Sequence, residues 1–383
     1  MTLSSYRRAL TAVALCLAVA GCQSEGSEWN KRFDDNALKP PSSAVEERFG
    51  KGPVEITLLV PRGSTGVYDD ATRDVRDGAA LAAAELGDAF VNVRVVDTSG
   101  GPQSAREAAE AAVARNSGLL LSYNVPDVTS ALASIAAADR PPIINLSQAV
   151  SGEEVFNFAT DEIHAAVKAA QGASPSAKKS IVVVAPVSFS AEQERSLAAS
   201  IQQTGGLAQT FIRLEDAGSK AGSLTAAQAD LVKGARAVLL LGSTAAVSDV
   251  LTSVKKINPD AQILGTENWS RAAFANPAST GAIIASSEPE GSALVADRYL
   301  RHKGRALTSN AALAYDSVAI GSGFVRAGGP EALTASALKS PTGFRGVSGV
   351  FRFGASGSIE RQLGLYRVEA GKLVPLEAAN ASF

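Results

Sequence analysis

The groups best placed to do chemistry in this chain are few: two cysteines, two histidines and scattered carboxylates. Cys22 is the most informative of them. It closes the run Leu17-Ala18-Val19-Ala20-Gly21-Cys22, which follows Arg7, Arg8 and an apolar stretch over residues 9–20. A charged start, a short apolar core and a small-residue cleavage site form a secretory signal, and the apolar core is too short to span a bilayer as a helix. His164 and His302 are far apart in sequence, and a metal centre or a Ser-His-Asp arrangement would have to use one of them. No GxSxG nucleophile elbow, no GxxxxGK[ST] phosphate loop and no GxGxxG after the first strand is present. His164 stands at an expected helix start, Asp161-Glu162-Ile163-His164, where a solvated or capping role suits it better than catalysis. The acidic pairs Asp69-Asp70 and Glu153-Glu154 suit helix N-terminal charge rather than acid–base work. The sequence therefore offers no catalytic residue, no metal-ligand set and no cofactor motif, and an enzyme is not expected.

The chain has 383 residues, 46% of them hydrophobic, and a formal net charge of -2 with no basic block. Nucleic-acid binding needs a positive footprint that is missing here. No later apolar run reads as a membrane span. Cys16 lies inside the signal, so a processed chain keeps one cysteine and cannot form an internal disulfide. It must be held by its core alone, and its length suffices for two lobes. The small-small-Cys ending resembles the lipobox of bacterial lipoproteins. In that family the signal is cut before the cysteine, whose sulfur takes a diacylglycerol and whose new amino group is acylated. The resemblance implies a signal at residues 1–21, lipidation of Cys22 and a membrane-anchored periplasmic protein. Gln23 lacks the acidic character that retains such lipoproteins at the inner membrane, which favours the outer membrane.

The elements behind the anchor follow a regular alternation. Residues 22–53 are polar, contain Lys39-Pro40-Pro41-Ser42-Ser43, and read as a flexible tether. About thirty residues of random coil reach roughly 30 Å, and the proline pair argues against a buried strand there. From Val54 onward short apolar runs such as VEITLLV, IVVVA (residues 181–185) and AVLLL (residues 237–241) alternate with amphipathic Ala-rich segments. Strands apolar on both faces, alternating with helices, predict parallel sheets covered on both sides. Two such series, separated by residues 156–180, predict an α/β protein of two doubly wound, Rossmann-like lobes. A long Ala-rich helix over residues 310–327 then leads to short strands near residues 350–353 and 363–368, which are expected to return into one lobe.

Several segments resemble the type 1 periplasmic-binding-protein family, in particular its Leu/Ile/Val-binding branch. They are Ile56-Thr57-Leu58-Leu59-Val60-Pro61 with a Gly/Ser/Thr loop, then Asp77-Gly78-Ala79-Ala80-Leu81-Ala82 and Glu85, and residues 93–98 with the helix after them. Leu264-Gly265-Thr266-Glu267, Ala314-Tyr315-Asp316-Ser317-Val318 and residues 346–353 with Gly357 continue the series. The resemblance implies one leucine-binding-protein-like domain over residues 54–378, its lobes joined by three hinge crossovers. Lobe 1 is expected at residues 54–158 and 281–338, lobe 2 at 159–280 and 339–378. It also implies a small polar ligand, an amino acid or amide, held between the lobes at the carboxyl ends of the strands. Read onto this chain, those ends offer Ser64, Thr65, Tyr68, Tyr123, Asn124 and Ser147 from the first lobe, and Glu267 and Trp269 from the second. Ser188-Phe189 and Ser243-Thr244 lie at further strand ends of the second lobe. Hydroxyls, amides and helix N-termini bind carboxylates, and Glu267 matches the family acid that binds the ligand's amino group.

Some positions depart from the family pattern. The expected carboxylate-binding serine falls near Pro126, the Ser-Ala-Thr style loop near Ala149, and the ligand-stacking Tyr-Gly is replaced by Ser188-Phe189-Ser190. Two functions follow. One is a lipid-anchored receptor delivering its ligand to an ABC permease. The other is a non-transport lipoprotein similar to the penicillin-binding-protein activators, which share the fold and dock onto peptidoglycan synthases. Residues 265–269 and 349–353 resemble that group too.

Overall fold

The computed structural model describes residues 47–63, 68–87, 89–159, 162–214, 223–242, 246–287 and 293–383, apart from the side chains of Gln209 and Arg271. Cys22, the signal and most of the expected tether lie outside the described residues.

The described residues begin with β1 (Glu47–Phe49), β2 (Val54–Val60), α1 (Asp70–Ala82) continued by a π-helical turn (Ala83–Gly87), and β3 (Val91–Asp97). Next come α2 (Gly101–Ala114), β4 (Leu119–Ser122), α3 (Pro126–Ala133), β5 (Ile143–Asn145) and β6 (Val155–Asn157). All seven residues of β2 and all four of β4 are buried, as expected of strands with helices on both faces. The first sheet runs β1-β3-β2-β4-β5-β6, and the pairs among β2 to β6 are parallel. β1 corrects the expected tether boundary. The chain joins the sheet by Glu47, upstream of Pro53, and the Gly52 N–H then donates to the Val91 carbonyl (3.1 Å).

The second lobe carries α4 (Glu162–Gln171), β7 (Ile181–Pro186), α5 (Ala191–Gln203), β8 (Ala208–Leu214), α6 (Ala226–Gly234) and β9 (Ala237–Leu240). It continues with α7 (Ala246–Ile257), β10 (Gln262–Thr266), α8 (Arg271–Ala275) and β11 (Ile283–Ser286). Capping boxes start α5 at Ser190 and α6 at Thr225, each with a Gln three residues on. After α9 (Ala293–Lys303), α10 (Ser309–Gly328) and α11 (Ala335–Leu338), β12 (Phe344–Gly346), β13 (Gly349–Phe353) and β14 (Ile359–Arg361) form a small antiparallel sheet. Finally β15 (Gly364–Glu369) and β16 (Lys372–Glu377) join the second sheet, ordered β16-β15-β11-β10-β9-β7-β8. β15 pairs antiparallel with β11, and β16 antiparallel with β15.

The chain thus passes between the lobes three times, as the fold expectation requires. Two boundaries move. β11 was expected in lobe 1 but pairs with β10 in the second sheet, so the second crossover follows Ser286. Residues 344–361 were expected in lobe 2, yet Phe351, Phe353 and Ile359 sit in the first core beside Phe156 and Phe158. The rings of Phe158 and Phe351 are 4.4 Å apart. The third crossover is therefore the short link between Arg361 and Gly364. Among the described residues no helix is long and apolar enough to cross a membrane.

Candidate ligand-binding cleft

Strand order reverses between β2 and β4 in the first sheet and between β7 and β9 in the second. Ligands of open α/β sheets gather outside the carboxyl ends at such reversals. Both reversals open onto one cavity of about 1050 Å³. Its first-lobe wall holds Tyr123, just past β4, and Leu146, Ser147 and Gln148, just past β5. Its second-lobe wall holds Pro186 and Ser188 at the end of β7, Gly242 after β9, and Asn268, Trp269 and Ser270 after β10. Residues 306–310 and Leu313, at the entry to α10, complete the first-lobe wall.

The structure brings four of the expected residues to this cavity: Tyr123, Ser147, Ser188 and Trp269. The Tyr123 hydroxyl accepts from Asn310 Nδ2 (3.2 Å). Burial raises its pKa, and the charges of Asp69 and Asp74 push the same way. Ser147 donates its hydroxyl to the Asn124 carbonyl and lies 3.0 Å from Asn145 Oδ1. Trp269 is largely core: its indole N–H donates to the Leu240 carbonyl (2.9 Å), and its ring packs against Phe274 at 5.7 Å.

The other expected residues stand elsewhere. Asn124 is buried, and its amide is used inside the lobe. Nδ2 donates to the Leu59 carbonyl (3.0 Å) and lies 3.1 Å from Ser122 Oγ, while Oδ1 accepts from Thr98. Tyr68 accepts from Arg62 Nε (3.1 Å), with that guanidinium 5.0 Å above its ring, and does not line the cavity. Glu267 does not line it either; its carboxylate accepts from the Ser287 N–H and hydroxyl. Ser64, Thr65, Ser243 and Thr244 lie outside the described residues. Phe189 is core, and its neighbour Ser188 faces the cavity.

Sequence reasoning missed two parts of the wall. Glu162, in the first turn of α4, lines the cavity. Its Oε1 accepts from the Gly242 N–H (2.8 Å) and lies 3.3 Å from the Thr266 hydroxyl, tying α4 to the ends of β9 and β10. The acidic pair Asp161-Glu162 after the first crossover was the available signal, and it reads equally well as ordinary helix-start charge. Residues 306–310 are the second omission. An ion network fixes them: Arg305 bonds Asp74 (2.7 Å) and Asp77 (2.5 Å), and Thr308 Oγ1 donates to Asp74 Oδ2 (2.9 Å). Thr308 also caps α10 by accepting from the Ala311 N–H (3.3 Å). A capping Thr ahead of an Ala-rich helix is visible in sequence, but its distance of over two hundred residues from Asp74 is not informative there.

A cavity flanked on two sides by strand ends, whose described lining offers hydroxyls, amides, aromatic rings and the acid Glu162, suits a small molecule. The sequence model of one family, described as periplasmic binding protein, matches residues 53–372. The chain belongs to the periplasmic binding protein family. Solved periplasmic binding proteins superpose along nearly the whole folded part. A putative branched-chain amino acid ABC transporter protein from Rhodospirillum rubrum matches with TM-score 0.68 at 18% identity, covering 84% of this chain and 99% of that one. A solute-binding protein from R. palustris in complex with benzoate gives 0.64 at 18% identity, covering 87% and 98%. The branched-chain amino acid binding protein of Streptococcus pneumoniae in complex with isoleucine gives 0.59 at 17% identity, covering 85% and 100%. No curated protein matches the chain. At these identities the likeness establishes the periplasmic binding protein fold, not a shared ligand.

Proposed function

We propose that the protein is a non-enzymatic solute receptor, anchored through a lipid on Cys22, that delivers a small polar ligand to an ABC permease. The observation that carries this reading is the cavity at both strand-order reversals, lined from both lobes. Hinge closure over such a cavity would bury the ligand. The structural relatives hold isoleucine or benzoate in their complexes, so an amino acid, an amide or a small aromatic acid are the starting candidates. Of the sequence-nominated residues, Tyr123, Ser147 and Trp269 are the proposed ligand contacts. Ser64 and Thr65 remain proposed contacts from the loop after β2.

A second reading keeps the fold without transport, as a docking lipoprotein acting on a peptidoglycan synthase. What favours it is the use of Glu267 and Asn124 for internal hydrogen bonds, and Pro126 at N1 of α3 where an amino-acid binder would present a serine. Outer-membrane placement, suggested by Gln23, suits that partner better than a permease.

One experiment separates them. The full-length lipoprotein, purified in detergent, is screened by thermal shift against amino acids, amides and small aromatic acids. A receptor gains stability by mass action, about 2.7 kcal/mol at a hundredfold excess over Kd. A flat screen together with co-purification of a peptidoglycan synthase overturns the transport reading. Cys22→Ser is expected to abolish metabolic labelling by a palmitate analogue and release the protein from membranes; retention of the label would refute lipidation at Cys22.

A further inference from the structure

The segment that follows β16 returns to the other lobe. We infer that residues 378–383 are a releasable strap, a fourth tie between the lobes that restrains hinge motion by seating the ring of Phe383 on Arg352. It concerns the hinge and not the ligand, so it stands or falls apart from the receptor reading. The strap starts from the second lobe. Glu377, the end of β16, pairs with Leu365 of β15, and its carboxylate is bonded by Lys168 of α4 (2.7 Å). At the third crossover Asn380 Nδ2 donates to Gln362 Oε1 (3.3 Å). The strap then reaches the first lobe at Phe383, whose ring centre lies 4.4 Å from the Arg352 guanidinium. Arg352 belongs to β13, whose Phe351 and Phe353 sit in the first core.

Both lobes are shaped to this path. A Cβ on Gly364, the first residue of β15, would fall 2.6 Å from the Glu377 carbonyl oxygen and 2.7 Å from the Ala379 nitrogen. Gly364 has no positive φ, so the close approach of Glu377 and Ala379, not backbone conformation, calls for glycine there. On the first lobe, a Cβ on Gly343 would lie 3.0 Å from Phe383 Cδ2. Arg352 is held as a fixed plate beneath the ring. Its Nε and Nη2 bond Glu360 Oε2 (2.8 and 2.7 Å), and Nη1 donates to the Pro341 carbonyl (3.3 Å). Phe383 is 36% exposed, and a cation–π contact at an exposed site is weak. The ring can therefore lift without unfolding either lobe. Extended, the six residues of the strap reach about 20 Å, which bounds how far the lobes part while Phe383 is seated.

The test uses the full-length protein in detergent, without ligand, spin-labelled at Val125→Cys and Val187→Cys. Both valines are exposed, one after β4 in the first lobe and the other after β7 in the second. Double electron–electron resonance then reads the distance between the lobes, and a protein carrying Val125→Cys alone reveals any signal from elsewhere. With the strap intact, one narrow distance peak is expected. Phe383→Ala combined with Asn380→Ala should broaden or move that peak by about 2 Å or more, the scale of a domain rearrangement. Phe383→Trp with Asn380 intact keeps a ring over the guanidinium and should retain the narrow peak. An unchanged peak in the double variant overturns the strap, and so does a broad distribution when the strap is intact. A double variant that fails to fold overturns it too, because a releasable strap belongs to neither core.

Discussion

The carboxylate of Glu267 accepts the backbone N–H of Ser287 at 2.8 Å and its hydroxyl at 2.7 Å. Glu267 follows β10, and Ser287 is the first residue past β11, so the contact fastens the second crossover to the carboxyl edge of the second sheet. β13 approaches the same point: a Cβ on Gly349, whose φ is +96°, would fall 2.6 Å from Ser287 Cβ. Glu267→Ala leaves two partly buried donors without their acceptor. A loss of about 2 kcal/mol in folding stability is expected, measured by urea denaturation, with ligand affinity changing less than threefold. The opposite split, intact stability and a tenfold loss of affinity, would return Glu267 to the ligand.

Arg305 neutralises two buried carboxylates and thereby positions residues 306–310 at the cavity. Removing one partner of a buried ion pair leaves uncompensated charge. Arg305→Ala is expected to lower stability by about 3 kcal/mol and to weaken ligand binding, since the cleft wall loses its support. Calorimetry on the variant tests both.

The same network sets an acid limit. Burial pushes the Asp77 carboxyl up, but Arg305, Lys303 and Arg76 outweigh it and hold the group below the ordinary range. Asp69 is held low chiefly by the Thr72 N–H and hydroxyl. A carboxyl whose folded pKa lies below the unfolded value of about 3.9 contributes stability that is complete above that value and is lost as pH falls through the folded pKa. Stability should therefore hold from neutrality to about pH 4 and fall below it, with a shallower acid slope in Arg305→Ala. A pH series of denaturation curves shows whether the slope changes.

The sheets were legible because burial on both faces leaves uninterrupted apolar runs, as in β2, β7 and β9. β6 and β11 were not, since three or four residues such as Val155-Phe156-Asn157 carry no periodicity. α9 escaped because Val295 and Tyr299 are its only buried residues, too few for an apolar stripe. The cleft was legible as a place, through strand ends, but not as a set of inward-facing side chains. Asn124 turns to Leu59 and Glu267 to Ser287, partners 65 and 20 residues away that compete with any ligand. Local sequence does not reveal such competition.

Gly265 keeps Trp269 in the cleft wall. A Cβ there would lie 2.2 Å from the indole ring, too close for any small adjustment. Gly265→Ala is expected to expel the ring from its slot and break its bond to the Leu240 carbonyl, at about 1–3 kcal/mol for overpacking. Trp269 supplies one of two indoles in the chain. A red-shifted, more quenchable tryptophan emission should accompany the loss, with weakened ligand binding. Unchanged emission would mean that the ring is not held by this glycine.

Arg361 joins the first and third crossovers. It ends β14, is buried, and donates from Nη2 to the Phe158 carbonyl (3.0 Å) and from Nη1 to the Ser348 carbonyl (2.9 Å). Its guanidinium lies over the rings of Phe158 and Phe351 at 5.2 and 5.6 Å. Burial lowers its pKa, while Glu267 and Asp316 oppose that shift. Phe158 precedes the first crossover and Arg361 the third, so one planar fork fixes the spacing of two hinge strands. Arg361→Met keeps much of the bulk and removes the charge and both bonds, at about 3–5 kcal/mol if the neighbouring acids are left uncompensated. Arg361→Lys keeps the charge but not the fork and should fall between. Both partners and β14 itself stand on the first-lobe side of the crossovers, so scanning calorimetry is expected to show the Arg361→Met transition several degrees lower than in the wild type. A single transition shifted by less than about 2 °C, well under what 3 kcal/mol would produce in a protein of this size, would show that the crossovers are held by their other contacts.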